Sequence, residues 1–308
     1  MLKALSRKTR RRAQALAGVS AAIILAGCGL TGGGSSGGPG SKVEVAAAEN
    51  FWGSIATQLG GTHVRVTSIV VNPATDPHAY EARPDDARTI ASAGYVIVNG
   101  AGYDPWAPKL LAANPVPGRV VLNVGELVGK KDGDNPHMWY SPDYVGQVID
   151  RITADLQKID PADAGYFDQQ KATYRTTALK DYYATIEAIK RRYAGVSAGA
   201  TESIFVYTAQ ATGLDLITPA EYMKAISEGA DPSAADKIII DQQVATKQVR
   251  VLVFNAQNAT PDVGALVNEA RAHQVPVVAV TETLAPATTT FQDWQTSQLK
   301  ALLQALGG

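Results

Sequence analysis

The sequence predicts an α/β protein in which two parallel-sheet βα lobes are joined by one long rigid helix. Three observations carry that expectation. Short apolar strands alternate with helical patterns in both halves of the chain, as in a parallel sheet covered on both faces. Between the halves, Ala162 to Ala194 runs 33 residues without proline, with Gly165 its single glycine and its apolar positions at helical spacing. The length, 308 residues, also suits two lobes better than one, because domains usually hold roughly 100–200.

The segments have their own reasons, in chain order. Residues 1–27 begin with six basic side chains (Lys3, Arg7, Lys8, Arg10, Arg11, Arg12), carry no acidic one, and are mostly apolar from Ala13 to Gly27. A basic region followed by an apolar one is the layout of a secretory signal. As a helix the apolar stretch spans about 22 Å, short of the roughly 30 Å hydrocarbon core, so a removed signal is expected rather than a retained membrane span. The Arg10-Arg11-Arg12 run leaves the export route open between the general and twin-arginine pathways. The signal ends in Leu25-Ala26-Gly27-Cys28, which resembles the lipobox of bacterial lipoproteins and makes Cys28 the expected lipid attachment point. Residues 28–41 are a Gly/Ser-rich tether that cannot pack a core and would hold the body about 20 Å from the bilayer.

The N-terminal lobe, 42–160, is expected to open with a strand at Lys42–Ala48 and a helix at Phe51–Leu59 closed by Gly60-Gly61. Then come a strand at His63–Val71, a helix at Pro84–Ala93, a strand at Tyr95–Asn99, a helix at Trp106–Ala113 and a strand at Arg119–Val124. A helix from Pro142 to near Ile159 lines up Val145, Val148, Ile149, Ile152 and Leu156 on one face. Residues 161–194 form the linking helix, about 50 Å long if unbroken. In the C-terminal lobe, 195–308, helical patterns at Ile204–Thr212, Asp236–Thr246, Pro261–His273 and Trp294–Leu306 alternate with strands at Val249–Phe254 and Val275–Val280.

Composition narrows the function. One cysteine excludes an internal disulfide, a Cys-rich zinc site and an iron–sulfur cluster. The formal net charge of -1 blends a basic signal with an acidic body: without residues 1–27 it becomes -7, from 22 basic and 29 acidic side chains. An acidic body argues against nucleic acid as a partner and suits a cation-handling surface.

Parallel sheets bind ligands where their strands end, and four such segments carry candidate metal ligands. Asn72 to Glu81 contains Asp76-Pro77-His78, and Asp134 to Trp139 contains Asn135-Pro136-His137. Thr201-Glu202-Ser203 opens the second lobe, and Thr281-Glu282-Thr283 follows its last strand. Proline before each of the two histidines fixes the local backbone and helps aim the ring. Taken alone, each histidine reads as a capped surface residue, Glu202 as a charge favoured at a helix N-terminus, and Glu282 as a solvated loop residue. Two such histidines in strand-end loops of one lobe strengthen the metal reading. His63 and His273 read as structural.

Together, D-P-H-A-Y-E, N-P-H-M-W, T-E-S-I-F-V-Y and V-T-E-T-L resemble the metal-binding stations of bacterial metal-receptor lipoproteins, the solute-binding subunits of manganese, zinc and iron ABC transporters. The lipobox, the N-G-A-G-Y-D-P-W segment (Asn99–Trp106) and the mid-chain helix fit the same pattern. The resemblance implies a metal held in the cleft between the lobes by His78, His137, Glu202 and Glu282. Glu282 stands where that family usually has aspartate. Asn255 and Gln257, with Asn258, are expected to donate hydrogen bonds around the ligands, and Trp139, Tyr207 and Tyr80 to pack nearby.

Two neutral imidazoles and two carboxylates balance one divalent cation, which avoids burying an unpaired charge. Carboxylates in place of imidazoles shift preference toward harder manganese or ferrous ions, whereas zinc binds the same donors more tightly. Mn2+ is therefore the first expectation, with Zn2+ next and Fe2+ third. The resemblance also implies delivery to an ABC permease by a monomer lipid-anchored outside the cell membrane, and no enzymatic activity. The rivals are a metal-dependent hydrolase using Glu81 or Asp76 as acid or base and a surface adhesin. No H-E-x-x-H motif supports the hydrolase.

Overall fold

The computed structural model describes residues 42–73, 80–258 and 260–308. The signal, Cys28, the tether, Asp76 and His78 lie outside the described residues. Gly40–Gly308 forms one compact unit, and none of its described helices is long and apolar enough to cross a membrane.

The first sheet holds β1 (Val43–Glu49), β2 (Val64–Val70), β3 (Tyr95–Val98) and β4 (Val120–Asn123), all parallel, in the order β2-β1-β3-β4. Side chains alternate across a strand, so β1 and β3 each feed two layers. Val45, Ala47, Tyr95 and Ile97 pack beneath Phe51, Trp52 and Ile55 of α1 (Asn50–Gly60). Ala46, Ala48, Val96 and Val98 pack the other way, against Ile90 of α2 (Pro84–Ser92) and Trp106 and Ala107 of α3 (Trp106–Ala113). A short helix, α4 (Val124–Leu127), leaves β4 directly. Then α5 (Pro142–Ile159) covers the α1 side with the apolar face read from its sequence. Its start combines a Ser141 cap on the Tyr144 N–H with Pro142 in the first turn.

The stretch read as one linking helix comes in pieces: α6 (Ala164–Thr173), a π-helical turn at Tyr174–Ala178, and α7 (Lys180–Tyr193). Leu179 donates its N–H to the Tyr174 carbonyl, five residues back, at 3.0 Å. The wider turn aims both Tyr174 and Leu179 into the core, whereas strict α spacing would send one of them off that face. Such single-turn insertions leave helical periodicity almost intact, which is why the sequence pattern passes over it.

The second sheet repeats the first. β5 (Ser197–Ala200), β6 (Asp215–Leu216), β7 (Leu252–Asn255) and β8 (Val277–Val280) are parallel in the order β6-β5-β7-β8. The sequence pattern showed neither β5, β6 nor α9 (Ala220–Ser227). β5 reads Ser-Ala-Gly-Ala, without the branched residues that mark strands. Its central position needs to be small, because a Cβ on Gly199 would stand 3.2 Å from Val249 and 3.3 Å from Leu252. Around this sheet lie α8 (Val206–Thr212), α10 (Ala234–Ala245), α11 (Pro261–Ala272) and α12 (Phe291–Leu306). Ser233, Thr260 and Thr290 cap the last three of these helices.

Candidate metal centre between the lobes

In both sheets the strand order reverses between the first and third strands of the set, and such switch points are where α/β sheets bind ligands. In the first lobe the switch point delivers Asn50 after β1 and the Asn99–Asp104 turn after β3. In the second it delivers Glu202 just after β5 and Asn255 at the end of β7, with Glu282 two residues past β8. The two sets face each other. Tyr103 Oη donates to Glu282 Oε2 at 2.7 Å, the Leu284 N–H to Asn50 Oδ1 at 3.2 Å, and Asn135 Nδ2 to the Ser203 carbonyl at 2.8 Å.

His137, Glu202 and Glu282 converge there. One donor atom from each lies within 4.8 Å of the others, and all three side chains are buried. His137 Nε2 is 4.0 Å from Glu282 Oε2. His78, the fourth expected ligand, lies outside the described residues. One imidazole and two carboxylates make a donor set that a divalent transition ion satisfies in charge and in ligand type. A buried pair of carboxylates this close has high electrostatic cost without a cation.

Each donor is held by its surroundings. His137 Nδ1 is 2.8 Å from Asn135 Oδ1, which also accepts the His137 backbone N–H at 3.1 Å. That contact assigns the ring proton to Nδ1 and turns Nε2 toward the carboxylates. Trp139 packs edge-on to His137, its centroid 5.3 Å away, and stacks on Phe51 at 4.0 Å. Ser227 Oγ contacts Glu202 Oε2 at 3.5 Å and Ser203 Oγ at 2.8 Å. Glu282 Oε1 accepts from Asn255 Nδ2 at 2.6 Å. The Gln257 N–H bonds Asn255 Oδ1 at 2.9 Å and its amide pairs with Thr283.

Asn258 donates to the Ile226 carbonyl and lines a cavity of about 630 Å³ whose inner wall includes Asn135, Ser203 and Ser227. Tyr207 Oη donates to the Asn135 carbonyl at 3.0 Å. Tyr80 is bonded to Asp86 and packed on Trp106. His63 pairs with Asp163 at 2.9 Å, and His273 closes α11. The sequence reading missed Tyr103, Asn135 and Ser227 as supports. Asn135 stood in the quoted N-P-H motif and Tyr103 in Asn99–Trp106, so the signal was position beside a ligand rather than ligand chemistry.

A second buried acidic group lies behind the site. The Glu49 carboxyl is held well above the usual range, first by burial and then by the Asp104 carboxylate beside it. Burial also raises Asp104, opposed by hydrogen bonds from the backbone N–H groups of Gly100 and Asn99.

Residues 45–305 match the family model described as zinc-uptake complex component A, periplasmic. The chain is similar to the manganese-binding lipoprotein MntA of Bacillus subtilis (strain 168), 28% identical over 166 residues, 50% of this chain and 52% of the relative. It thus spans about half the length of that relative. It is 22% identical over 262 residues to the high-affinity zinc uptake system protein ZnuA of the same organism, covering 75% of this chain and 77% of the relative. In fold it resembles the Mn-bound periplasmic metal-binding protein of Candidatus Liberibacter asiaticus, with a TM-score of 0.70, 17% identity, and coverage of 86% of this chain and all of that one.

Proposed function

This chain belongs to the family of zinc-uptake complex component A, a family of metal-binding substrate-binding proteins of transporters and not of enzymes, and we propose that it captures a divalent transition metal ion outside the cell membrane and hands it to an ABC permease. The observation that carries this reading is the convergence of His137, Glu202 and Glu282, buried, from two lobes onto one point. His78 completes the proposed set. The donor types put Mn2+ first and Zn2+ next, with Fe2+ possible on the same ligands. The relatives' names, one manganese-binding and one a zinc uptake protein, support a metal cargo without ordering the two. We further propose export as a monomer anchored through acylated Cys28.

In this reading the chain's own residues do the work of binding. Asn135 keeps His137 in the tautomer that offers Nε2. Trp139 and Phe51 pack the ring in place, and Ser227 steadies Glu202. Supply of donors from both lobes means that a modest local rearrangement at the cleft, rather than wide domain motion, suffices to part them and release the ion. Titration calorimetry of the purified protein should find one tight equivalent of Mn2+ or Zn2+. The His78→Ala, His137→Ala double variant should lose it, and undiminished affinity there would sink the assignment.

A further inference from the structure

We propose that Asn255 sets the denticity of Glu282, holding Oε1 aside so that Glu282 meets the ion through Oε2 alone. The proposal rests on the ligand assignment above and deepens it. Oε2 is the Glu282 oxygen that lies 4.0 Å from His137 Nε2. Oε1 is held by Asn255 Nδ2 at 2.6 Å, with both side chains buried. The Asn255 amide is itself fixed, because its Oδ1 accepts the Gln257 N–H at 2.9 Å. Gln257 is anchored in turn to the residue after Glu282: its Oε1 accepts the Thr283 N–H at 2.9 Å, and its Nε2 donates to Thr283 Oγ1 at 3.0 Å. The end of β7 and the loop after β8 are thus tied together around one carboxylate.

The other grip on Glu282 comes from the opposite lobe, where Tyr103 Oη donates to Oε2 at 2.7 Å. A carboxylate oxygen carries two lone pairs, so an ion and a hydroxyl can share it. Bringing Oε1 onto the same ion is different. There the ion would compete with the Asn255 amide for the oxygen, and losing the 2.6 Å bond would strip a buried amide of its acceptor.

One oxygen from Glu282 keeps the donor count low. Zinc accepts four tetrahedral donors readily, whereas manganese favours about six. Asn255 therefore restrains Mn2+ relative to Zn2+, against the preference set by the donor types.

The test combines X-ray absorption spectra of Zn- and Mn-loaded protein with Zn/Mn competition titrations. The native protein should show about four N/O donors on zinc near 2.0–2.1 Å. Asn255→Ala should add an oxygen to the manganese shell and shift the Mn/Zn affinity ratio about tenfold toward Mn2+. Tyr103→Phe should weaken both ions about tenfold together and leave the ratio unmoved. An unchanged ratio and donor count in folded Asn255→Ala overturns the proposal. If that variant does not fold, the native spectrum decides, and a shell of about five or more donors with a short metal–carbon distance overturns it. Undiminished affinity in Glu282→Gln instead removes Glu282 from the ligand set, a different failure.

Discussion

At the scale of single residues, the buried carboxyls show what the fold tolerates to build its cleft. Glu49 keeps its proton well above the ordinary carboxylate range because burial and Asp104 both disfavour its charge. A raised carboxyl contributes most to stability below the unfolded pKa, and that contribution is lost as pH rises through the folded value. Glu49→Gln preserves shape and a donor toward Asp104 while removing the proton requirement. Its melting temperature at neutral pH should exceed that of the native protein, and the slope of melting temperature against pH should flatten above the ordinary carboxylate range. Parallel slopes for the two proteins would contradict this account. The candidate donors were legible at this scale, since histidine after proline and glutamate at strand ends are visible in the chain. Their supports were not, because asparagine, serine and tyrosine serve so many local roles that only contact singles out Asn135, Ser227 and Tyr103.

At the scale of elements, α1 connects the two halves. Its inner face sits in the first lobe's core, while Ser54 and Gln58 face the second lobe: the Phe291 N–H donates to Ser54 Oγ at 2.9 Å, and Gln58 and Gln292 exchange amide hydrogen bonds at 3.0 and 2.8 Å. A reciprocal amide pair that is largely shielded from water should be worth about 1 kcal/mol. In a cycle of Gln58→Ala, Gln292→Ala and the double variant, urea titration should return a coupling of about 0.5–1 kcal/mol. Additive losses would mean that the pair contributes nothing beyond its separate side chains. Helices with a clear apolar face, such as α5, were read to within a residue or two. β5 and the π turn at Tyr174–Ala178 were not, because one is built from small residues to fit Val249 and Leu252 and the other alters periodicity by a single residue.

At the scale of the whole molecule, one continuous apolar cluster runs from Val45 in β1 to Leu306 in α12. Lobes that share a core should not melt separately. Thermal unfolding of the protein should be a single transition. Saturating Zn2+ or Mn2+ should raise its midpoint, by about 4 kcal/mol of stabilisation at a thousandfold excess over Kd. The same ions should leave a Glu202→Gln, His137→Ala variant nearly unmoved. Two resolved transitions, or an equal metal shift in that variant, would count against the shared core and the buried site respectively.

Periodicity, local composition and the single cysteine are properties of neighbouring or countable residues, so the βα alternation, the expectation of an export signal and a metal chemistry limited to histidine and carboxylate could all be read along the chain. The tertiary structure alone decided which donors meet and what grips them. Tyr103 and Glu282 stand 179 positions apart and Asn255 and Glu282 stand 27 apart. Only the closure of two like-wound sheets against each other brings such pairs within hydrogen-bonding distance.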